Sequence, residues 1–179
     1  LSTNDDEIIQ FAQGLADERL QIHHRDDRLA SSDTSTDDLV GHAAGLIPEG
    51  DILWTHVTSP FVTAVDYDQI IARYRRALEE GYDSLMTVTK LHGFLWDERG
   101  AVNYDRKVEK WPRTQTLEPI YEVNSAVFLA PVGVYAEQHD RIGGRPYMYP
   151  LERVQGFDID WPEDFQMAEA LLTAGVATV

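Results

Sequence analysis

Near the C-terminal end of the chain two carboxylates stand one residue apart, in Phe157-Asp158-Ile159-Asp160-Trp161-Pro162-Glu163-Asp164-Phe165. Read as the end of a strand, Asp158 and Asp160 project from one face, roughly 6–7 Å apart along the chain. Paired carboxylates suit a hard divalent cation such as Mg²⁺, which takes oxygen ligands and often shares them with substrate phosphates. Ligand sites of open α/β sheets also lie beyond the carboxyl ends of strands. The same residues read equally as a helix start. Asp160 and Glu163 have capping-box spacing and Pro162 fits the first helical position. The two readings are compatible, because Asp160 can ligate while other groups cap the backbone.

Such a pair needs elements to position it. Apolar residues Ile8, Ile9, Phe11, Ala12 and Leu15 recur at helical spacing behind the cap-like Ser2-Thr3-Asn4-Asp5. Leu20-Gln21-Ile22-His23 alternates like a short strand, a polar loop covers residues 30–38, and Leu39 to Leu46 reads as helix. Asp51 to Val57 is a compact apolar strand stopped by Thr58-Ser59-Pro60, and a helix follows from about Tyr67 to Glu80. Further strands are expected at Asp83–Thr89, at Asn124–Ala130 and twice between Tyr147 and Asp160. Short helices are expected at Pro131–His139 and Pro162–Ala174. Strands alternating with helices predict one α/β domain over 1–179, three-layered and Rossmann-like, with a mainly parallel central sheet. A hairpin at residues 93–104 and the irregular, locally basic stretch with Lys107, Lys110 and Arg113 read as an insertion over 92–122.

Composition narrows the partners. The 179 residues carry 15 Lys and Arg against 31 Asp and Glu, a net charge of −16, and 43% are hydrophobic. A field that acidic disfavours nucleic acid and anionic lipid over most of the surface. An anionic small substrate requires a local cluster of cations. There are no cysteines, which removes thiolate catalysis, disulfides and Cys-based zinc sites and suits a reducing, cytoplasmic setting. No apolar run approaches the roughly 20 residues of a membrane span, and no signal peptide is visible. The opening Leu1-Ser2-Thr3 reads like the end of a strand, so further residues are expected upstream.

Five segments in order resemble the acylneuraminate (CMP-sialic acid) cytidylyltransferases. They are Ser32-Asp33-Thr34-Ser35-Thr36 before a helix, the strand ending Thr58-Ser59-Pro60, Asn124-Ser125-Ala126-Val127-Phe128, Ile142-Gly143-Gly144-Arg145-Pro146-Tyr147, and Asp158-Ile159-Asp160-Trp161-Pro162-Glu163-Asp164. The resemblance implies a nucleotide-diphospho-sugar transferase fold and an enzyme that couples CTP to the anomeric hydroxyl of an acidic 2-keto sugar, releasing pyrophosphate. It makes Asp158 and Asp160 the catalytic Mg²⁺ ligands. Arg25, Asp33, Ser35, Thr36 and His56 would hold the nucleotide. His56, Arg113, Gln115 and Asn124 would face the sugar, with the Arg113 guanidinium suited to its carboxylate. The insertion resembles an arm by which family members form homodimers.

Ordinary roles exist for each of these residues. Arg25 lies in a charge run with Asp26, Asp27 and Arg28, Arg113 reads as a surface arginine, and Asn124 as a turn residue. Residues 31–36 read as a cap cluster for the next helix. His23, His24, His42, His92 and His139 are assigned structural or surface roles. Relative to the family, the first strand and the Gly-, Ser- and Lys-containing triphosphate loop are missing, which predicts weak CTP binding and little turnover by these residues alone. His56 replaces a usual glutamine, making the position titratable near neutral pH. Phe61-Val62 lacks a usual arginine, which leaves legionaminic or pseudaminic acid open as acceptor. A Kdo-type synthetase, a non-catalytic binding or assembly relative, and a glycosyltransferase with an Asp-x-Asp metal motif are the competing readings.

Overall fold

The structure is a computed structural model that describes residues 1–31 and 33–178. Ser32, the first residue of the Ser32–Thr36 motif, lies outside the described residues.

Helix α1 (Asp6–Gly14) starts where the Asp5 carboxylate accepts the backbone N–H groups of Glu7 and Ile8 at 2.9 and 3.1 Å. It joins two short parallel strands, β1 (Ser2–Thr3) and β2 (His23–His24). Helix α2 (Thr36–Leu46) is capped by Ser35, whose Oγ accepts from the Asp38 N–H and donates to the Asp38 carboxylate.

The central sheet holds β3 (Asp51–Thr55), β4 (Ser84–Leu91), β7 (Ile120–Pro131) and β8 (Pro146–Leu151), in the order β3-β7-β4-β8. Strands β3, β4 and β8 share one direction, as the alternation of strands and helices predicts. Strand β7 runs against them, so the sheet is mixed and only β4–β8 pair in parallel. Sequence periodicity carries no strand direction, which is why the reversal was invisible there.

Alternation along β7 and β3 sorts the layers. Val127, Leu129 and Leu53 face Ile70 and Tyr74 of α3 (Ala64–Glu79), whereas Ala130, Ile52 and Trp54 face Val40 of α2 and Tyr135 of α4 (Val132–Gln138). The result is a sheet between helical layers. Helix α3 opens with a capping box between Thr63 and Asp66. It closes at Gly81, whose φ of 86° a side chain would resist. The last helix, α5 (Pro162–Thr173), packs Ala168 and Leu171 onto Phe61.

The Ile142–Tyr147 motif has a structural task. The Gly143 and Arg145 N–H groups donate to the Ser84 hydroxyl and Asp83 carboxylate at 2.9 and 2.8 Å, which sets the start of β8 beside β4. A Cβ at Gly143 would run into the Asp83 carboxylate, so only glycine permits this approach. The hairpin expected in the insertion is present as β5 (Trp96–Asp97) and β6 (Gly100–Ala101).

A bulge interrupts β7. The register passes from Met86↔Phe128 to Val88↔Val123, so Asn124 to Val127 stand opposite the single residue Thr87. Ser125 takes a φ of 58°, a left-handed conformation costly for any residue with a side chain. Buried Thr87 repairs the gap, because its Oγ1 accepts the Val127 N–H at 2.9 Å and donates to the Val127 carbonyl at 3.3 Å.

Candidate active site

Because β3, β4 and β8 point the same way, their carboxyl ends share one edge of the sheet. The loop after β8, residues 152–161, runs along that edge. The Gln155 amide donates to Asp66 at the start of α3 at 2.9 Å, and the Ile159 N–H donates to the Thr58 carbonyl at 2.9 Å. Phe157 and Ile159 both turn into the cluster around Phe61 and Ala168. Asp158, between them, is half-buried, and Asp160, just beyond Ile159, is exposed.

This corrects the expected strand, since residues 152–161 carry no strand structure and Tyr147–Asp160 contains one strand instead of two. Phe157 and Ile159 are held by helix α5 and Phe61, not by a neighbouring strand. The helix start differs as well. Trp161 is the N-cap residue, and Asp164 rather than Glu163 reaches back, accepting the N–H groups of Asp160 and Trp161 at 3.1 and 2.9 Å. The Asp160 side chain is left out of the cap. Among the described residues its carboxylate accepts no hydrogen bond, and that of Asp158 accepts only its neighbour's N–H, from Ile159 at 3.1 Å.

His56 follows β3 at the same edge. Its Nε2 receives the Trp54 indole N–H at 3.1 Å and an Arg141 N–H at 2.7 Å. The Arg141 guanidinium lies 3.8 Å from the centre of the Phe128 ring. Among the described residues no carboxylate stands within ion-pair distance of it. Burial foremost, then the Arg141 charge, pushes the His56 pKa below the usual histidine value, while Asp158 pulls it upward. Burial and the Arg141 charge thus disfavour protonation of His56 relative to an ordinary histidine.

His42 is also shifted down, by burial, then His23 and Arg25. A histidine whose folded pKa is depressed binds fewer protons folded than unfolded, so stability rises with pH through that window. Melting temperature is expected to hold above pH 7 and fall as the pH drops below the unfolded value of 6.5. Thermal melts of His56→Gln and His42→Gln between pH 5 and 7.5 check this, each variant flattening part of the loss (windows from ordinary histidine values).

Asn124, in the β7 bulge, is buried. Its Nδ2 donates to Thr89 Oγ1 at 3.2 Å and its Oδ1 accepts the Ala126 N–H at 3.4 Å. Gly156 lies against it: a Cβ there would sit 2.6 Å from Asn124 Nδ2 and 2.9 Å from Thr89 Oγ1. Gly156→Ala must displace the amide, and is expected to cost about 1–3 kcal/mol in urea denaturation.

The other sequence-assigned residues lie apart from this edge. Arg25 follows β2, where its Nη2 donates to the Ser2 carbonyl at 2.7 Å and its buried Nε has no partner. Asp33, Ser35 and Thr36 are exposed around the start of α2. A cavity of about 450 Å³ nearby is lined by Arg28, Leu29, Asp38 and His42. Folding also brings His23 and His42 together, with ring centres 5.0 Å apart and Ser2 Oγ within hydrogen-bond distance of both. Arg113 and Gln115 are exposed in the insertion, with no side-chain hydrogen bond to His56, Asn124 or Asp158 among the described residues.

Sequence reasoning missed Arg141, Trp54, Thr89 and Gly156. Arg141 directly precedes the Ile142–Tyr147 motif, and only its position there could have drawn attention.

A mixed sheet between helices, with β3, β4 and β8 sharing one direction, defines a Rossmann-like α/β fold. The fold is that of 4-diphosphocytidyl-2C-methyl-D-erythritol synthase from Anaerococcus prevotii, which superposes with a TM-score of 0.64 over 94% of this chain and 74% of that one, at 14% identity. In sequence, 86 residues, 48% of this chain, are 29% identical to an N-acylneuraminate cytidylyltransferase from Streptococcus agalactiae. The matched stretch spans 19% of that relative. No protein-family model matches. The similarity is thus to a diphosphocytidyl-methylerythritol synthase in fold and to an N-acylneuraminate cytidylyltransferase in sequence.

Proposed function

We propose that this chain supplies the acceptor- and metal-binding part of a CMP-sugar synthetase, which transfers CMP from CTP to an acidic 2-keto sugar. In that reaction the sugar hydroxyl oxygen attacks the α-phosphorus, the bond to pyrophosphate breaks, and the hydroxyl proton is lost. The observation that supports the reading is that Asp158 and Asp160 follow β8 at the carboxyl edge with their carboxylates outside the helix cap, the Asp158 charge being felt at His56.

The donor set suits Mg²⁺. Asp158 and Asp160 are one residue apart, and among the described residues their carboxylates accept no hydrogen bond beyond the Ile159 N–H, although no group of three or more His, Cys, Asp or Glu that could hold a metal occurs there. The remaining octahedral positions would fall to phosphate oxygens and water, as Mg²⁺ prefers. Bound there, the ion would neutralise charge developing on the phosphates. Arg141 adds a fixed cation to an otherwise acidic surface, and His56 can donate from Nδ1. Asn124 is held rigidly enough to orient an acceptor.

The test supplies CTP, Mg²⁺ and a panel of eight- and nine-carbon keto-acid sugars and follows pyrophosphate and CMP-sugar. CMP-sugar formation that needs Mg²⁺ is expected in a protein containing this chain. Nucleotide binding without turnover of any acceptor would turn the reading to a binding module. The acceptor giving product separates the nonulosonic branch from the Kdo branch.

The same reading includes a homodimer built through the insertion. Phe94 packs edge-on against Tyr104 and Trp111, and Trp96 and Trp111 are 50% and 67% exposed, an apolar surface suited to a partner. Sedimentation velocity at micromolar concentration is expected to show a dimer, and a monomer there removes this part.

A further inference from the structure

The hydrogen bonds around His56 are one-sided. Both groups at Nε2, the Trp54 indole N–H at 3.1 Å and the Arg141 guanidinium at 2.7 Å, can only donate. Nε2 must therefore be an acceptor and carry no proton, which places the ring's single hydrogen on Nδ1. Among the described residues Nδ1 has no hydrogen-bond partner. A half-buried ring thus offers one fixed donor with nothing among the described residues to receive it.

We propose that Arg141 is a positioning residue that, together with Trp54, locks His56 as the neutral Nδ1–H tautomer, a permanent hydrogen-bond donor toward a ligand oxygen. The supports are rigid. The Trp54 ring stacks on buried Tyr135 with 6.5 Å between centres and 15° between planes, and Arg141 lies on Phe128. The Phe128 ring also meets His56 edge-on at 6.3 Å. Charged groups facing the ring are Arg141 and Asp158, with Asp140 next to Arg141. A second proton on Nε2 would point into two donors and beside a cation, so the lock excludes imidazolium as well as the other tautomer. What the donor serves rests on the proposed transfer reaction, where a ribose, sugar or phosphate oxygen would accept it. The tautomer itself does not depend on that reaction.

The experiment is long-range ¹H–¹⁵N correlation of the imidazole signals at pH 7 in this chain labelled with ¹⁵N-histidine, His56 being assigned by loss of its signals in His56→Gln. The expected spectrum has a protonated, pyrrole-type Nδ1 and a bare, pyridine-type Nε2. A protonated Nε2 in the native chain overturns the proposal at once, with no variant needed. Arg141→Met should raise the Nε2–H fraction about tenfold or more, the ratio that loss of one hydrogen bond from a charged donor shifts. Arg141→Lys should restore the native pattern, and Trp54→Phe should move the fraction the same way as Arg141→Met. An unchanged tautomer ratio in both Arg141→Met and Trp54→Phe would show that neither side chain holds it. Intact Nδ1–H signals with no CMP-sugar formed would sink the reaction and spare the lock. A working enzyme with Nε2–H would do the reverse.

Discussion

Replacing Asp158 or Asp160 with asparagine is expected to lower Mg²⁺-dependent CMP-sugar formation by about 10²–10³-fold, the range typical when a group that stabilises transition-state charge is removed. The amide keeps the size of the side chain and removes the charge. Among the described residues Asp160 accepts no hydrogen bond and Asp158 accepts only its neighbour's N–H, so little folding energy rides on either carboxylate. Melting temperature should change by no more than a few degrees. The measurement pairs pyrophosphate release across a Mg²⁺ titration with a thermal melt. Full activity in either variant removes it from the ligand set, whereas a collapse of both activity and melting point would make the loop structural. Both results are informative because Phe157 and Ile159, not the carboxylates, anchor the segment.

Thr87→Val should cost about 2–4 kcal/mol, because its hydroxyl satisfies both the N–H and the carbonyl of Val127 where the β4–β7 ladder is broken. Valine has nearly the same shape, so the loss reports on the two hydrogen bonds and not on a cavity. Thr87→Ser retains the hydroxyl and is expected to lose about 1 kcal/mol, the worth of one buried methyl. Urea titration of the three proteins gives the comparison. The effect reaches the candidate site through Asn124, which occupies the same bulge and leans on Thr89 two residues along β4. Equal stability of the valine and serine variants would mean that the bulge holds without Thr87.

Much of the scaffold was legible because amphipathic spacing reports burial directly. In α3, Ile70, Tyr74 and Ala77 fall on one helical face and are buried, and the helix begins only a few residues before the expected Tyr67. Strand β3 and helix α4 likewise stand where apolar runs and Pro131 put them. The direction of β7 was not legible, since antiparallel and parallel strands of a buried sheet share one apolar pattern. Nor was the loop at 152–161, where an alternating segment packs on a helix and imitates a strand.

The site divides in the same way. Asp158 and Asp160 were visible as a pair because their spacing is local, one residue apart in the sequence. The cap was misplaced by one residue, since Asp160 and Trp161 both precede Pro162 and only geometry shows which carboxylate reaches back. His56 was found, but the burial and the cation around it were not. Its protonation is set by Arg141, whose contact with it spans 85 positions of sequence, and by burial, which no local pattern reports.

Local chemistry was written in the chain itself: helix faces, caps, an acidic composition, no thiols, and two carboxylates one residue apart. Those properties depend on residues near one another in sequence, where bond geometry alone fixes who faces whom. Tertiary structure decided the reversal of β7, the bulge that seats Asn124 against Gly156, and the approach of Arg141 and Trp54 to a single histidine nitrogen. Each of those depends on which distant segments meet, and a hydrogen bond or a shifted pKa exists only once they have met.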